Sequence, residues 1–212
     1  MQYILLGCGG HGRVLLATLQ ALGWMERLLG VVDPDPQALV SQGCSATLLG
    51  DDGYLSRVNP ASVQLLNGIG SVGWTAKRRQ IFLAWQEEGF AFASLLHPAA
   101  WLAASLQLGA GAQVMAGAVI QNGCQLGANV LINSRALLEH ECVLQDHVHV
   151  ASGAVLCGNV RVGEGVHVGA GATLLQGVRI GAGACIGAGA VVLHDVAPGV
   201  TVVGVPAREL RQ

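Results

Sequence analysis

Residues 144–186 read LQDHVHVASGAVLCGNVRVGEGVHVGAGATLLQGVRIGAGACI, and this stretch decides the fold. An aliphatic residue stands at every sixth position, beginning with Leu144 and Val150 and ending with Ile180 and Ile186. Four residues after each of them stands only Ala, Cys or Val. A six-residue period is typical of a β-helix, in which each unit forms one flat face of a triangular coil. The aliphatic side chains are expected to fill the interior of that coil.

The same period extends well beyond this stretch. Aliphatic residues occupy sixteen consecutive sixth positions, from Leu102 to Val192, and the small residues run from Ala112 to Val196. Three six-residue faces complete one coil of eighteen residues, so residues 102–197 form a little over five coils. The coils are expected to stack at the strand spacing of about 4.8 Å. Gly, which often follows the aliphatic residue, permits positive φ at the corners.

Residues 1–97 lack this period and follow a different pattern. Short apolar runs at residues 3–6, 28–32, 63–66 and 90–96 predict strands, while residues 13–22 and 75–88 predict helices. Gly89 can cap the second helix. Alternating strands and helices predict a small parallel α/β sheet. We therefore expect an α/β domain at 1–97, a hinge at His97-Pro98, and a β-helix domain with a C-terminal tail at 98–212.

Composition excludes several classes of protein. Charged residues make up only 11% of the 212 residues, against about 25% in ordinary domains. The net charge of −2, with a single Lys, argues against attraction to nucleic acid or anionic lipid. No run of 18 apolar residues predicts a membrane span, and the first residues lack the basic region of a signal peptide. We expect a cytoplasmic protein whose six cysteines, at positions 8, 44, 124, 142, 157 and 185, are mostly small buried residues.

A glycine-rich turn follows the first predicted strand. Gly7, Gly9 and Gly12 spell GxGxxG between a strand and a helix, and Asp33 ends the second predicted strand. Backbone amides at a helix N-terminus can hold phosphate, and a carboxylate can hold a ribose hydroxyl. The α/β half is too short for the two halves that bind NAD, so one nucleoside diphosphate is the favoured ligand. A tight turn without a ligand is the alternative.

Two further features of the α/β half concern this turn. Gly68-Ile69-Gly70 follows the third predicted strand, and at a topological switch point it would form the opposite wall of the nucleotide site. Lys77-Arg78-Arg79 is basic, but on a helix it is expected to be a solvated face.

The histidines of the repeat are the candidate catalytic residues. His140 lies between Glu139 and Glu141, and imidazole beside a carboxylate is the ordinary arrangement of a general base. Because Leu138 takes the interior position of that unit, His140 is not expected in the core. An ordinary surface histidine is the alternative.

A second set of histidines is aligned by the repeat. His149, His167 and Cys185 are successive members of one column because they are eighteen residues apart. Such a column could bind zinc, so a zinc enzyme of the γ-carbonic anhydrase type remains open as an alternative. His147 and His149 could equally hydrogen-bond a ligand or backbone across a subunit boundary.

Several short motifs follow one another along the whole chain. They are Gly7-x-Gly-Gly-His-Gly-Arg-Val14, Asn67-Gly-Ile-Gly-Ser71, Leu96-His-Pro98, Asn133, Glu139-His-Glu-Cys142, His147-Val-His149, Cys157-Gly-Asn-Val160 and Gly204-Val-Pro-Ala207. As an ordered set they resemble the bacterial sugar acetyltransferases, of the sialic acid O-acetyltransferase type and the UDP-4-amino-sugar N-acetyltransferase type. The resemblance implies a left-handed β-helix, acetyl-CoA as co-substrate, no metal, and a homotrimer with the active site between neighbouring subunits.

The resemblance also implies roles for individual residues. His140 would be the general base on the acceptor amine, Glu141 its partner, and Asn133 a group that positions the acceptor or the acetyl group. The acetyl-CoA groove would include His149, Gly158, Ala170 and Ala188. The nucleotide would touch Gly9, Gly10, His11, Gly12 and Asp33, with Gly68 and Gly70 opposite.

The function implied is acetyl-CoA-dependent N-acetylation of a nucleotide-linked 4-amino-4,6-dideoxy sugar in surface glycan biosynthesis. UDP is the favoured nucleotide, although Pro34 stands where related UDP-sugar enzymes often have a second acidic residue. Ala170 is smaller than the residue that some relatives carry, which would alter the acyl-CoA groove. O-acetylation of a sugar of the sialic acid type and a non-enzymatic scaffold or sensor are the alternatives on the same fold.

Overall fold

The first half of the chain is organised around a central strand whose side chains are buried on both faces. The computed structural model describes residues 1–37, 46–71 and 75–210. Strand β1 (Gln2–Leu6) carries four consecutive buried residues, as expected for a parallel sheet that is covered on both faces. It is flanked by β2 (Leu28–Val32) and β4 (Val63–Asn67), and the edges are β3 (Leu48–Gly50) and β5 (Ala91–Phe92).

Two α-helices lie in the described part of this α/β half. Helix α1 (Gly10–Ala21) follows β1, and α2 (Ala76–Glu87) follows β4. Short 3-10 helices span Met25–Arg27, Asp52–Arg57 and Pro60–Ser62. The strand order β3-β2-β1-β4-β5 changes direction between β1 and β4. Ligand crevices form at such a switch point, beyond the carboxyl ends of the strands.

The second half is a left-handed parallel β-helix with three faces. The first face contains β6 (Leu95–Leu96), β9 (Gln113–Val114), β12 (Leu131–Ile132), β15 (His149–Val150), β18 (His167–Val168), β21 (Cys185–Ile186) and β23 (Thr201–Val203). The second face contains β7 (Trp101–Leu102), β10 (Val119–Ile120), β13 (Leu137–Leu138), β16 (Val155–Leu156), β19 (Thr173–Leu174) and β22 (Val191–Val192). The third face contains β8 (Gln107–Leu108), β11 (Gln125–Leu126), β14 (Val143–Leu144), β17 (Arg161–Val162) and β20 (Arg179–Ile180). Finally, β24 (Arg208–Glu209) pairs antiparallel with β23.

Successive coils pair in register, which confirms the eighteen-residue repeat. Leu131 pairs with His149, and His149 pairs with His167, each one coil further along the chain. The aliphatic and small positions of the repeat together form one continuous buried core. Leu102 and Leu108 differ from this pattern, since Leu102 is only partly buried and Leu108 is 38% exposed. Both lie on the edge strands β7 and β8, where no earlier coil covers them on that face.

The strand predicted over residues 90–96 is two strands in the structure. Strand β5 ends the α/β sheet, whereas β6 pairs with β9 and begins the first face of the β-helix. The chain therefore passes from one sheet to the other within two residues, Ala93 and Ser94. This short passage places the α/β half directly against the first face.

Two remaining expectations concern membranes and cysteines. Within the described ranges, no helix is long and apolar enough to cross a bilayer. Five of the six cysteines lie in the described residues, and Cys124, Cys142, Cys157 and Cys185 form no disulfide. Cys8, Cys124 and Cys142 are buried, as predicted, while Cys157 and Cys185 are partly exposed. Cys44 lies outside the described residues.

Candidate active site

A pocket of about 390 Å³ lies at the carboxyl ends of β1, β2 and β4. Most residues predicted to touch the nucleotide line it: Gly9, Gly10, His11, Asp33, Gly68 and Gly70. Helix α2 forms the opposite wall with Lys77, Ile81 and Trp85. The pocket therefore combines glycine amides at a helix N-terminus, a carboxylate at the end of the second strand, and one basic side chain.

Close approach of two loops explains several of the glycines. Gly68 donates its amide to the Leu6 carbonyl at 2.9 Å, and a Cβ on Gly68 would collide with the Gly7 carbonyl. Gly7 itself has φ of +82°, a conformation that favours glycine. Gly12 does not line the pocket, because it is packed under the Gly7 carbonyl, where any side chain would clash. Gly12 instead allows helix α1 and the glycine turn to lie in close contact.

Asp33 is fixed by backbone amides on both carboxylate oxygens. Oδ2 accepts a hydrogen bond from the Cys8 amide at 2.7 Å, and Oδ1 accepts one from the Asp35 amide at 2.9 Å. The carboxylate thereby joins the glycine turn to the end of β2. Each oxygen keeps a second lone pair, so the group can also accept a hydrogen bond from a hydroxyl of a ligand.

Arg78 contradicts the prediction that the basic run is a solvated face. Its side chain is only 1% exposed, whereas Lys77 and Arg79 on the same helix are exposed. The guanidinium donates to the carbonyls of Asn67 and Ile69, both at 2.9 Å, and to Gln113 Oε1 at 3.1 Å. It makes no ion pair with any described carboxylate, and burial lowers its pKa to about 9. Arg78 therefore anchors the second glycine loop from behind.

The buried polar contacts continue from Arg78 into the β-helix. Asn67 donates to the Arg78 carbonyl and to Asn129 Oδ1, each at 3.1 Å, and Asn129 Nδ2 lies 3.1 Å from His147 Nδ1. Because Asn67 and Asn129 are each oriented by these partners, Asn129 donates to His147 Nδ1.

Two further contacts join the halves beside this chain of hydrogen bonds. The ring of His147 packs edge-on against Phe82, with ring centroids 5.6 Å apart. At the surface, Arg79 forms an ion pair with Glu164 at 2.7 Å. The two halves are thus joined by a continuous hydrogen-bonded junction.

A groove of about 450 Å³ runs along the first face, next to this junction. It brings together four predicted residues: Asn133, His149, Ala170 and Ala188. The loop after β4 reaches it, since Ser71 Oγ lies 2.7 Å from His149 Nδ1. One loop, residues 67–71, therefore borders the nucleotide pocket at one end and the groove at the other.

His149 and His167 stack along the groove as predicted, with ring centroids 4.8 Å apart. Burial, followed by the charge of His167, lowers the pKa of His149 to about 3, so its imidazole is neutral. Burial also lowers the pKa of His167. Within the described residues, no group of three His, Cys, Asp or Glu side chains could hold a metal ion, and this includes His149, His167 and Cys185. The zinc alternative has no ligand set among these residues.

His140 lies on a different corner of the coil, between the second and third faces. Its side chain is 54% exposed, and Nδ1 lies 3.4 Å from Glu141 Oε2. The ring covers Gly158, where an added Cβ would lie 2.5 Å from Nε2. His140, Glu141 and Gly158 therefore form one cluster, whereas Asn133, Ala170 and Ala188 follow strands of the first face. One face, on the order of 15 Å wide, separates the two sets within a single chain.

The corners also carry a signal that sequence reasoning did not use. One corner position recurs every six residues and has positive φ, and in most coils it is Gly. The exceptions are Asn129, Arg135, Glu141, His147 and Asn159, with φ from 56° to 63°. A side chain in this conformation costs roughly 1–2 kcal/mol. Departure from Gly was the available signal for Asn129, which sequence reasoning missed, whereas Arg78 and Gln113 gave no such signal.

Comparisons with known proteins agree with this arrangement. The bacterial transferase hexapeptide family (six repeats) matches residues 141–176 and 159–194. No curated protein sequence matches the chain significantly. Among solved structures, the acetyltransferase domain of PglB from Neisseria gonorrhoeae is 35% identical, with TM-score 0.86 and 99% of both chains covered. That domain has also been solved in complex with acetyl coenzyme A.

A second solved structure is a mutant of perosamine N-acetyltransferase from Caulobacter crescentus, in complex with CoA and GDP-perosamine. It is 31% identical, with TM-score 0.89, and the alignment covers 100% of this chain and 98% of that chain. The six-residue repeat and the similarity to these two acetyltransferases define an acyltransferase built on hexapeptide repeats. The chain belongs to the bacterial sugar acetyltransferases of the hexapeptide type.

Proposed function

We propose that this enzyme transfers an acetyl group from acetyl-CoA to the amino group of a nucleotide-linked 4-amino-4,6-dideoxy sugar. The observation that carries this proposal is the loop of residues 67–71, which borders the glycine-lined pocket and contacts His149 in the groove. A nucleoside diphosphate in the pocket would direct its sugar along this loop towards the groove. The solved relatives bind acetyl coenzyme A in one case and CoA with GDP-perosamine in the other.

The chemistry is assigned to His140. The amine must be neutral to attack the thioester carbonyl, and Nε2 of His140 would take a proton from it as the new C–N bond forms. The C–S bond then breaks, and the thiolate of CoA would receive the proton from the His140 imidazolium. Glu141, next to Nδ1, would orient the ring and stabilise the imidazolium. Holding the amine against the thioester supplies further rate acceleration.

A homotrimer would bring the two corners together. Within one chain, the His140 cluster and the groove are separated by a face of the coil, so direct transfer needs His140 of one subunit beside the groove of its neighbour. Closed cyclic symmetry is the common way to repeat such a contact. Exposed Ala170 and Ala188 leave the edge of the groove open to a second chain.

Thiol release tests the reaction. The purified protein is mixed with acetyl-CoA and a panel of UDP- and GDP-linked 4-amino-4,6-dideoxy sugars, beside His140→Ala. The matched control is His194→Ala, which removes another exposed histidine. Turnover with one sugar nucleotide, abolished only in His140→Ala, would support the reaction, the base and the nucleotide together. If no amine gives thiol release but sialic acids do so as hydroxyl acceptors, O-acetylation replaces N-acetylation as the proposed reaction.

Complementation tests the shared site. His140→Ala removes the base, and Ala188→Trp fills the groove, so homotrimers of either variant should be inactive. Mixed trimers obtained by co-expression should recover activity, because some interfaces combine an intact His140 with an intact groove. If the mixed trimers stay inactive, the base and the groove of one chain serve each other and the shared site is refuted.

A further inference from the structure

The amide of Gln113 can adopt only one orientation. Its Oε1 lies 3.1 Å from Nη2 of Arg78, and its Nε2 lies 2.9 Å from the Asn67 carbonyl. Arginine has donors only and a carbonyl has acceptors only, so the oxygen of Gln113 must face Arg78. The reversed amide would set two donors against each other and two acceptors against each other.

This orientation determines the tautomer of His11. Gln113 Oε1 also lies 2.8 Å from Nε2 of His11, and an amide oxygen can only accept. Nε2 of His11 must therefore carry a hydrogen. Because the ring is neutral, its other nitrogen, Nδ1, has a lone pair and no hydrogen. No described group forms a hydrogen bond with that nitrogen.

The neutral state of His11 follows from its surroundings. Burial and then the positive charge of Arg78 lower the pKa of His11 to about 4, and the hydrogen bond to Gln113 opposes them only in part. The groups that face the ring are Arg78 from α2, Gln113 from β9 and the neutral His149 from β15. None of these is an acid that could stabilise an imidazolium.

His11 lies where the nucleotide pocket approaches the groove. It lines the pocket, and its Cβ lies close to Gly70, one residue before the Ser71 that contacts His149. A lone pair here cannot bind a phosphate oxygen, because both groups are acceptors. It can bind only a donor. In a nucleotide-linked amino sugar, the donors between the diphosphate and the amine are the sugar hydroxyls. Because the amine has to reach His140, a hydroxyl is the donor left for His11.

We propose that His11 accepts a hydrogen bond from a hydroxyl group of the substrate sugar, and that Gln113 and Arg78 hold it in that state. The inference rests on the proposed function for the identity of the substrate. His11 would select sugars with a hydroxyl between the diphosphate and the amine. Gln113 and Arg78 are positioning residues, since they act through His11.

Nitrogen NMR of histidine-labelled protein tests the tautomer without any turnover. In the wild type, His11 should show a protonated Nε2 and an unprotonated Nδ1, with no titration between about pH 6 and 8. Assignment uses the signal that disappears in His11→Gln. A protonated Nδ1, or a titration in this range, would overturn the proposal even if thiol release supports the reaction. Conversely, if NMR shows this tautomer but the protein transfers no acetyl group, the proposed function is wrong while the assigned state of His11 still holds.

Two substitutions distinguish the roles of Nδ1 and Nε2 of His11. Steady-state kinetics are measured for each variant with the sugar nucleotide that the wild type acetylates. Asparagine at position 11 can place an oxygen near the site of Nδ1, whereas glutamine can place its amide near the site of Nε2. His11→Gln should raise KM by about tenfold, the effect of one lost neutral hydrogen bond, with little change in kcat. His11→Asn should keep KM closer to the wild type. Equal KM values in the two variants, or a larger rise in His11→Asn, would overturn the proposal.

Gln113→Glu tests the positioning role. A carboxylate at this place would stabilise a protonated His11, so KM should become pH-dependent and rise as the pH falls from about 8 to 6. Titration of the substrate amine affects both proteins alike, so the ratio of the variant's KM to that of the wild type should rise over this range. A merely structural role for Gln113 would change KM by the same factor at every pH, which would contradict the assignment.

Discussion

His140 and His149 both lie in the β-helix, but the side chain of His140 is exposed whereas that of His149 is buried. The side chain of His140 is 54% exposed and has one carboxylate neighbour, Glu141, at 3.4 Å. His149 is 4% exposed, is held by Ser71, and has a pKa lowered to about 3 by burial. The difference teaches that the exposed cluster adds little to the packing of the two halves. The buried histidine and the junction behind it, in contrast, hold the two halves together.

The largest expected effect on stability comes from the junction. Asn67→Leu should lower the free energy of unfolding by about 4 kcal/mol, because three hydrogen bonds are lost and buried partners remain unsatisfied. His140→Ala should lower it by less than about 0.5 kcal/mol, as for other exposed sites. Urea unfolding followed by circular dichroism measures both. Similar losses in the two variants would remove the contrast between corner and junction.

Acid should act on the buried histidines. The folded-state pKa values of His11 and His149, about 4 and about 3, lie below the ordinary value of 6.5. Their contribution to stability is therefore complete above pH 6.5 and declines as the pH falls towards 4, since the unfolded chain binds more protons. We expect a loss of roughly 3 kcal/mol between pH 7 and 5. Urea unfolding at both pH values tests this, and His149→Gln should show a smaller loss than the wild type.

Activity should respond to a methyl group under the His140 ring. Gly158→Ala places a Cβ against Nε2, so the ring must move away from its position. A displacement of this kind should lower kcat by about tenfold to a hundredfold, with little change in stability because His140 can move into solvent. The control is Ala170→Gly, which changes an exposed residue of the groove. Unchanged kcat in Gly158→Ala would mean that His140 acts from another rotamer.

The smallest expected effect concerns the strained corner. Glu141 has φ of 62°, where glycine is favoured. Glu141→Gly should leave stability unchanged or raise it by up to about 1 kcal/mol, while kcat falls because His140 loses its carboxylate. Asn159→Gly, one coil further along the same corner, serves as the matched control for the backbone. A clear loss of stability in Glu141→Gly alone would show that the carboxylate supports the fold.

Sequence reasoning predicted the repeat well because each six-residue unit is a local pattern that the core repeats. The positions of His149, His167 and Cys185 in one column followed directly from the eighteen-residue spacing. The exposure of His140 also followed, because Leu138 fills the interior of its unit. The grouping of Gly9, Gly68 and Asp33 around one pocket was predicted by the switch-point rule.

The junction could not be predicted in the same way. Arg78 lies on a helix of mixed polarity, and only the packing of that helix against the first face shows that its side chain is buried. Gln113 and Asn129 belong to units of the repeat that look ordinary apart from one polar residue each. Hydrogen bonds between residues separated by 35 to 62 positions depend on how two domains meet, which no local pattern encodes.

The stacking of the coils has a consequence for how such a chain can change length. Each coil contacts mainly the coil before and the coil after it, so the architecture behaves almost as a one-dimensional stack. The His140 cluster, the groove and the junction all lie on coils before β22. A duplicated eighteen-residue unit inserted after Val192 would extend the prism and shift the C-terminal strands, while the geometry of the earlier coils would be inherited unchanged.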